Sequence, residues 1–245
     1  MMRMRWTAFF LNTLLLGAAA AAGAPATEAV PVAPFHADYE VLRNGKELGV
    51  ASLTLRAADH GTWEFSSQTK GTKGMASLLG VDVVEKSTFR WHEGQPEGLR
   101  YLYSQEAAIK SRQRSTEFDW QTHEAQSREG DKVWTAPLQV SAMDRSLVTI
   151  ALMAELKSGT AHDLAFKVVD KDTVAEQRFT RRAPETLSLP AGKIEAVRVE
   201  RQRADDSRTT TVWFAPQRDW LPVQIEQVEK NGETITTRLA SAPRG

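Results

Sequence analysis

Side chains able to do acid–base or metal chemistry are scattered along this sequence and form no recognised spacing. The five histidines include no HExxH motif and no other close pair of the kind that binds zinc. The sequence also contains no G-x-S-x-G elbow, no Walker loop and no G-x-G-x-x-G. Paired carboxylates for glycoside hydrolysis need no fixed spacing, so that chemistry stays open. We therefore predict no catalytic residue, no metal site and no cofactor, and a protein that is not an enzyme.

Aromatic side chains form the most regular feature of the sequence. Four consecutive segments each carry two of them, two positions apart: Trp63 and Phe65, Phe89 and Trp91, Tyr101 and Tyr103, Phe118 and Trp120. Residues i and i+2 of a strand point to the same face, and consecutive strands are usually neighbours. The eight side chains therefore form either a core packed against a helix or the wall of a cavity for a lipid, an acyl chain or a glycan.

A short basic run precedes the last aromatic pair. Lys110, Arg112 and Arg114 occupy even-numbered positions, as do Phe118 and Trp120, so in an uninterrupted strand all five side chains point to the same face. The three basic residues would then form a stripe beside the aromatic face. Such a surface would suit an amphiphile with an anionic head group. Two alternatives stay open, a solvent-exposed edge strand protected by charge and a bulge near Ser115 that reverses the parity. With the eight aromatics, these three residues complete the predicted ligand-binding set.

The elements that must position these side chains are mostly strands. From Phe35 onward, apolar and polar residues alternate in short runs separated by turn signals such as Asn44 followed by Gly45. The pattern predicts a mainly β protein, with a large curved antiparallel sheet or an open barrel of about 11–13 strands.

One segment has the spacing of a helix. It predicts one central helix near residues 142–157, with Ser141 or Asp144 as its N-cap. Residues 74–79 fit either a short helical turn or a loop that carries Leu78 and Leu79 into the core.

The N-terminus is typical of an exported protein. A basic start, an apolar stretch and a run of alanines predict a cleavable signal peptide over residues 1–22, followed by a flexible leader over 23–34 and a single β-rich domain over 35–245. We expect a periplasmic location, no transmembrane segment in the mature chain and, because there is no cysteine, neither disulfides nor a lipid anchor. With 31 basic and 31 acidic side chains, no net field attracts nucleic acid.

Four segments carry a resemblance to a known family: HADYEVLRNGKELGVASLTL at 36–55, MDRSLVTIALM at 143–153, LPAGKIEAVRVE at 189–200 and WFAPQRDWLPVQIEQV at 213–228. Together they resemble the bacterial domain-of-unknown-function family 3108, exported proteins of Gram-negative bacteria. The resemblance implies a cell-envelope location and a curved β-sheet similar to that of the periplasmic lipoprotein carriers. It implies no established activity and no catalytic residue.

These observations lead to one main hypothesis and two alternatives. The first is a non-enzymatic periplasmic protein that binds an apolar or amphipathic ligand (a lipid, an acyl chain or a client protein) in its curved sheet. The second is an envelope scaffold that binds a protein partner through its surface, with Trp220 as a candidate contact. The third is a hydrolase of cell-envelope substrates, which would need convergent polar groups in one cleft.

Overall fold

The computed structural model describes residues 30–108, 111–159, 161–202 and 208–244. Within these ranges the chain forms fifteen strands and two α-helices. In chain order they are β1 (Phe35–Arg43), β2 (Lys46–Ala57), β3 (Trp63–Gly71), α1 (Gly74–Leu78), β4 (Asp82–His92), β5 (Gln95–Glu106), β6 (Arg112–Asp119), β7 (Glu124–Glu129), β8 (Lys132–Pro137), β9 (Ala142–Met143), α2 (Leu147–Ser158), β10 (Asp163–Asp170), β11 (Thr173–Leu189), β12 (Gly192–Gln202), β13 (Arg208–Ala215), β14 (Leu221–Glu229) and β15 (Thr234–Leu239).

All fifteen strands belong to one sheet. Its order is β8-β7-β6-β5-β4-β3-β2-β1-β15-β14-β13-β12-β11-β10-β9, so each half is a meander of hairpins and the first strand pairs with the last. Every pairing is antiparallel except that of β9 with β10. The predicted mainly β class and curved sheet are confirmed, and the sheet is not closed into a barrel.

The structure has fifteen strands instead of the expected 11–13, because several short strands carry a weak sequence signal. The hairpin of β7 and β8 reads EAQSRE and KVWTAP, with little apolar alternation, and β9 is only two residues long. Tertiary pairing, and not local pattern, makes these segments strands. The turn prediction at Asn44 and Gly45 agrees with the structure, because φ is positive at both residues (49° and 74°).

Helix α2 lies inside the curve of the sheet. Eight of its twelve residues are buried: Leu147, Val148, Ile150, Ala151, Leu152, Met153, Ala154 and Leu156. A helix that is apolar on most sides must be surrounded, and the strands supply that surrounding. The helix starts later than the predicted residue 142, since Ala142 and Met143 pair with β10 as β9. The N-cap residue is therefore Ser146, and the prediction of Ser141 or Asp144 at this position is wrong. The side chain of Asp144 nevertheless accepts the N–H groups of Ser146 and Leu147 at the start of the helix.

Helix α1 resolves the two alternatives for residues 74–79. The segment is helical, and Leu78 is 78% exposed, so this side chain does not enter the core. The helix lies against Gly71, where an added Cβ would come within 2.6 Å of the Ala76 side chain. Glycine at position 71 therefore permits the close approach of α1 to β3.

The two free edges of the sheet face each other across a seam that is filled by side chains. Arg114 on β6 donates to Asp170 on β10 (2.9 Å), and the Lys171 ammonium lies 5.3 Å from the ring centre of Trp134 on β8. A second apolar cluster closes the same region, formed by Tyr101, Phe118, Ala125, Ala136, Leu138, Ala142 and Val169. Side-chain packing replaces backbone pairing where the curve of the sheet ends.

Trp220 lies in the turn between β13 and β14. Its ring is partly buried against the main core, and the guanidinium of Arg181 lies 5.4 Å from the ring centre. The indole therefore covers the edge of the core and does not project freely into solvent, which weakens it as a surface contact.

Candidate functional site

A cavity of about 740 Å³ lies between the sheet and the N-terminal half of α2. Twelve strands, all but β7, β8 and β9, contribute to its wall, and the helix contributes Val148, Thr149 and Leu152. The volume lies within the range of about 300–1,000 Å³ that is usual for small-molecule sites. Exposed Asp170 and Arg145 belong to the lining, so the cavity is open to solvent at this end. We call this end of the interior the cavity end and the opposite one the packed end.

The strand register explains why one end is packed and the other is open. In the first half of the sheet, a row at the packed end pairs Trp63 with Phe89 and Phe89 with Gly98. Two residues further along the strands the next inward row is Phe65, Ser87, Tyr101 and Thr116, and the row after that is Ser67, Glu85, Tyr103 and Arg114. The inward side chains therefore change from aromatic to polar and charged over about 14 Å of strand.

The structure divides the eight predicted aromatics among three environments. Phe65, Tyr101 and Tyr103 line the cavity. Phe89 is completely buried, and it packs with Trp63 and Trp91 in the main core, where the rings of Phe89 and Trp91 meet edge to face with centres 5.2 Å apart. Phe118 and Trp120 belong to the second cluster and border a separate shallow depression, and Trp120 lies beyond the end of β6. The eight aromatics therefore do not form one continuous surface: three line the cavity, three pack in the main core and two lie in the second cluster.

The basic stripe occupies the cavity end. Arg112 and Arg114 point to the same face as Phe118, since β6 runs without a register shift at Ser115. Both guanidinium groups bind Glu129 on β7, with the Arg112 Nε to Glu129 Oε1 distance at 2.7 Å. The hydrogen bonds from Arg112, opposed by partial desolvation and reinforced by Arg114, lower the pKa of Glu129 to about 2. Only Arg114 lines the cavity, and Lys110 lies outside the described residues.

Arg145, which no catalytic motif or strand pattern marks in the sequence, is the central charged group of the cavity end. Its Nε donates to Glu85 Oε2 (3.0 Å) and to the Tyr101 hydroxyl (2.9 Å), and its guanidinium lies 4.9 Å from the ring centre of Tyr103. The Tyr101 hydroxyl in turn donates to Glu85 (2.7 Å). Burial and then the charge of Glu85 raise the pKa of Tyr101, so this phenol remains a hydrogen-bond donor.

Asp144 is a buried carboxylate next to this group. Its Oδ1 accepts the Ser87 hydroxyl (2.8 Å) as well as the two N–H groups at the start of α2, whereas its buried Oδ2 has no hydrogen-bond partner among the described residues. Burial raises the pKa of Asp144 to about 7, although hydrogen bonds from Ser87, Leu147 and Ser146 act in the opposite direction. The residue joins the sheet to the helix at the floor of the cavity end.

The second half of the sheet completes the wall with residues that the sequence analysis did not propose. One inward row consists of Val41, Thr237, Ile225 and Val212, and the row nearer the opening consists of Ile235, Gln227, Thr210 and Arg201. Apolar and polar residues alternate over parts of β14 and β15, such as VQIE, which was a usable signal for strands. The signal could not indicate a cavity, because it reports only which residues share a face.

The fold and the cavity define a class of β-rich proteins in which one curved sheet surrounds a helix and an internal space large enough for a small molecule. Within that class the chain belongs to the family described as "Protein of unknown function (DUF3108)", whose sequence profile matches residues 35–240. The family resemblance seen in the sequence is thereby confirmed. No curated protein matches the chain.

Solved structures align with most of the chain at low sequence identity. A β-barrel-like protein of the domain of unknown function DUF1849 from Brucella abortus aligns over 86% of this chain and 97% of its own, with 8% identity and a TM-score of 0.54. A candidate lipoprotein from Parabacteroides distasonis aligns over 86% of this chain and 95% of its own, with 11% identity and a TM-score of 0.29. The first similarity supports the fold alone.

Two further observations concern the described residues. In those ranges no three histidine or acidic side chains come together in a way that could hold a metal ion. The two helices of the described chain are also too short or too polar to cross a lipid bilayer.

Proposed function

We propose that this protein is a non-enzymatic binding protein of the bacterial envelope that holds an apolar or amphipathic small molecule in its cavity. The observation that carries the proposal is the cavity of about 740 Å³ inside the sheet, beside a helix that is otherwise enclosed. Packed protein interiors contain few spaces larger than a water molecule. A space of this size, maintained by twelve strands, is a feature that a purely structural core does not need.

The lining supports an amphipathic ligand. Val148, Leu152 and Phe65 provide an apolar surface deep in the interior, whereas charged side chains lie toward the opening. A ligand with an apolar body and a polar end would match both parts of this wall. Polar surface exceeds apolar surface in the lining as a whole, which favours a ligand with a polar end over a purely apolar one.

The acidic groups of the cavity are already engaged in structural contacts, which favours binding over catalysis. Glu85 holds Arg145 and Tyr101, Asp144 accepts N–H groups at the start of α2, and Asp170 binds Arg114 across the seam. A hydrolytic site needs an acid or base that can transfer a proton to substrate within hydrogen-bond reach. The signal peptide expected over residues 1–22 supports a periplasmic location for such a binding protein.

The test is a titration of the purified protein with N-phenyl-1-naphthylamine, a neutral apolar fluorophore, combined with extraction of co-purified lipid. We expect saturable binding with a blue-shifted emission. Ala51→Trp should abolish it, because Ala51 lines the cavity and an indole would occupy the space. Val50→Trp is the matched control, because Val50 is the neighbouring residue of the same strand and is 45% exposed on the opposite face.

The two variants make the proposal falsifiable. Loss of the fluorophore signal in Ala51→Trp but not in Val50→Trp, with both proteins folded by circular dichroism, supports binding in the cavity. Absence of saturable binding in the unmodified protein, or an equal response of both variants, would overturn the proposal.

A further inference from the structure

The guanidinium of Arg145 is held in place by one of its three nitrogens. Nε is used by Glu85 and Tyr101, and within the ranges that the structure describes, neither Nη1 nor Nη2 makes a hydrogen bond. The rings of Tyr101 and Tyr103 lie 5.9 and 4.9 Å from the guanidinium carbon and restrict its position. An arginine fixed by its Nε and by two aromatic rings keeps its paired terminal nitrogens free for a planar or tetrahedral anion.

The charges around the cavity favour an anion at this position. Five basic side chains line it, namely Arg114, Arg145, Lys171, Arg201 and Arg208, against three acidic ones, namely Glu85, Asp144 and Asp170. Burial also raises the pKa of Asp144 to about 7, so part of this negative charge is absent at neutral pH. The ion pairs of Arg114 with Glu129, of Arg145 with Glu85 and of Arg208 with Glu229 offset much of this excess, so the preference for an acidic group depends on the terminal nitrogens of Arg145.

Arg145 is also aligned with the apolar wall. Val148 and Leu152 lie four positions apart on α2, the spacing that places residues on one side of a helix, and both line the cavity. Arg145 lines the same cavity from the turn that directly precedes α2, and Val148 and Leu152 are about 6 Å apart along the helix axis at 1.5 Å per residue. An extended hydrocarbon chain that starts at the guanidinium would therefore run along the helix into the interior.

We propose that Arg145 is the head-group residue of the cavity and that the ligand is a single-chain amphiphile with an acidic head, a carboxylate or a phosphate. The head binds Nη1 and Nη2 of Arg145 at the opening, and the chain lies against Val148, Leu152 and Phe65. This inference rests on the function proposed above. It adds the chemical class of the ligand and the residue that selects it.

The experiment measures displacement of N-phenyl-1-naphthylamine from the purified protein by four twelve-carbon competitors: dodecanoate, dodecyl phosphate, dodecanol and dodecyltrimethylammonium. For the unmodified protein we expect the better of the two anions to displace the probe at a concentration at least about tenfold below that of dodecanol, the effect of one charge-assisted bidentate contact. The cation should be the weakest competitor. Comparison of the two anions identifies which acidic head the site prefers.

Arg145→Met retains an apolar side chain and removes the donors. We expect dodecanol and the better anion to displace the probe at about equal concentrations from this variant, while the probe itself still binds. We expect Arg145→Lys to restore part of the preference for the anion. Arg100→Met is the matched control, because Arg100 lies on β5 next to Tyr101, faces outward and pairs with Glu117 on the neighbouring strand. In this variant the concentrations of anion and of dodecanol that displace the probe should differ as much as in the unmodified protein.

The outcomes separate this inference from the proposed function. Probe binding without preference for either anion, or a preference that survives Arg145→Met, would overturn the role of Arg145 and leave the cavity proposal standing. Absence of probe binding in the unmodified protein would overturn both. A preference lost in Arg145→Met and kept in Arg100→Met supports the inference.

Discussion

The packed end and the cavity end of this interior are built from the same strands but have opposite properties. At the packed end, Phe89 is completely buried, Trp63 and Trp91 are packed around it, and Gln95 hydrogen-bonds Glu155 near the C-terminus of α2. At the cavity end, the inward positions of the same strands carry Glu85, Tyr103 and Arg114. Polar groups at the second end cannot fill space against an apolar helix without losing their hydrogen bonds, so a solvated space remains.

The comparison shows that inward orientation and dense packing are separate properties. Every one of these residues faces the helix side of the sheet, yet only those near the packed end meet complementary apolar surfaces. The difference follows from the types of residue in each cross-strand row and from where α2 lies along the sheet axis. Matched substitutions at the two ends therefore test whether the ends differ in packing.

The largest difference should appear when an isoleucine is truncated at each end. Ile194 on β12 is buried at the packed end, whereas Ile225 on β14 is partly buried and lines the cavity. We expect Ile194→Ala to lower the free energy of unfolding by about 2–5 kcal/mol. We expect Ile225→Ala to lower it by less than about 2 kcal/mol, because part of its surface has no packed neighbour to lose.

Urea-induced unfolding of both variants, followed by tryptophan fluorescence, measures these differences. Both sites are isoleucines in strands, so intrinsic β-propensity cancels in the comparison. Equal losses would mean that the cavity end is as densely packed in solution as the opposite end.

The next effect is a pH dependence that arises from Asp144. Its pKa is raised by burial from an ordinary value near 3.8 to about 7 in the folded state. Between these values the folded protein binds more protons than the unfolded chain, so its stability falls as pH rises, by at most about 1.4 kcal/mol per pH unit. Above pH 7 the contribution of this group becomes constant.

Thermal unfolding between pH 4.5 and 8 tests this effect. We expect Asp144→Asn to flatten the decline of the melting temperature between pH 5 and 7, whereas Asp131→Asn, at an exposed turn, should leave it unchanged. A decline of the same slope in Asp144→Asn would assign the pH dependence to other groups.

A smaller contrast is expected when a side chain is enlarged at each end. Ala196 on β12 is completely buried in the main core, and Ala51 on β2 lines the cavity. We expect Ala196→Phe to destabilise the fold by about 1–3 kcal/mol through overpacking. Ala51→Phe should change the free energy of unfolding by less than about 1 kcal/mol, since the ring can enter open space. Chemical denaturation measures both, and a larger loss in Ala51→Phe would contradict the presence of the cavity.

The smallest expected effect concerns Trp120, which belongs to neither end. Its indole Nε1 donates to the carbonyl of Gly98 at 2.8 Å, beside the bulge where β4 and β5 shift register. Trp120→Phe removes this hydrogen bond and should cost about 1 kcal/mol without changing ligand binding. Denaturation together with the probe titration tests this expectation. Loss of probe binding would place Trp120 in the ligand site after all.

Much of the fold could be predicted because its signals are local. Alternation from Phe35 onward indicated strands, and Asn44 with Gly45 indicated the first hairpin. The signal was weak where a segment depends on its neighbours, as in β7 to β9. The helix start was misplaced by a few residues, because pairing of Ala142 and Met143 with β10 outweighs their helical spacing.

The candidate site was predictable only in part. Parity placed Phe65, Tyr101, Tyr103 and Arg114 on the inner face, and these four line the cavity. Strand alternation could not predict Arg145, because this residue lies before α2 and not in a strand. Its position at the site depends on where α2 packs against the sheet. Strand alternation also could not exclude Trp91 or Phe89 from the cavity lining. It shows to which face a side chain points but not whether packed atoms or open space lie in front of it.

The secondary structure type, the face on which many strand residues lie and the family of the chain can all be read from its amino-acid sequence. These properties depend on periodicity and on short motifs, which are encoded over a few neighbouring residues. Which inward residues are packed and which border open space is set by the tertiary structure. That outcome depends on the register of fifteen strands and on the position of one helix among them, and both are fixed by contacts between residues distant in the chain.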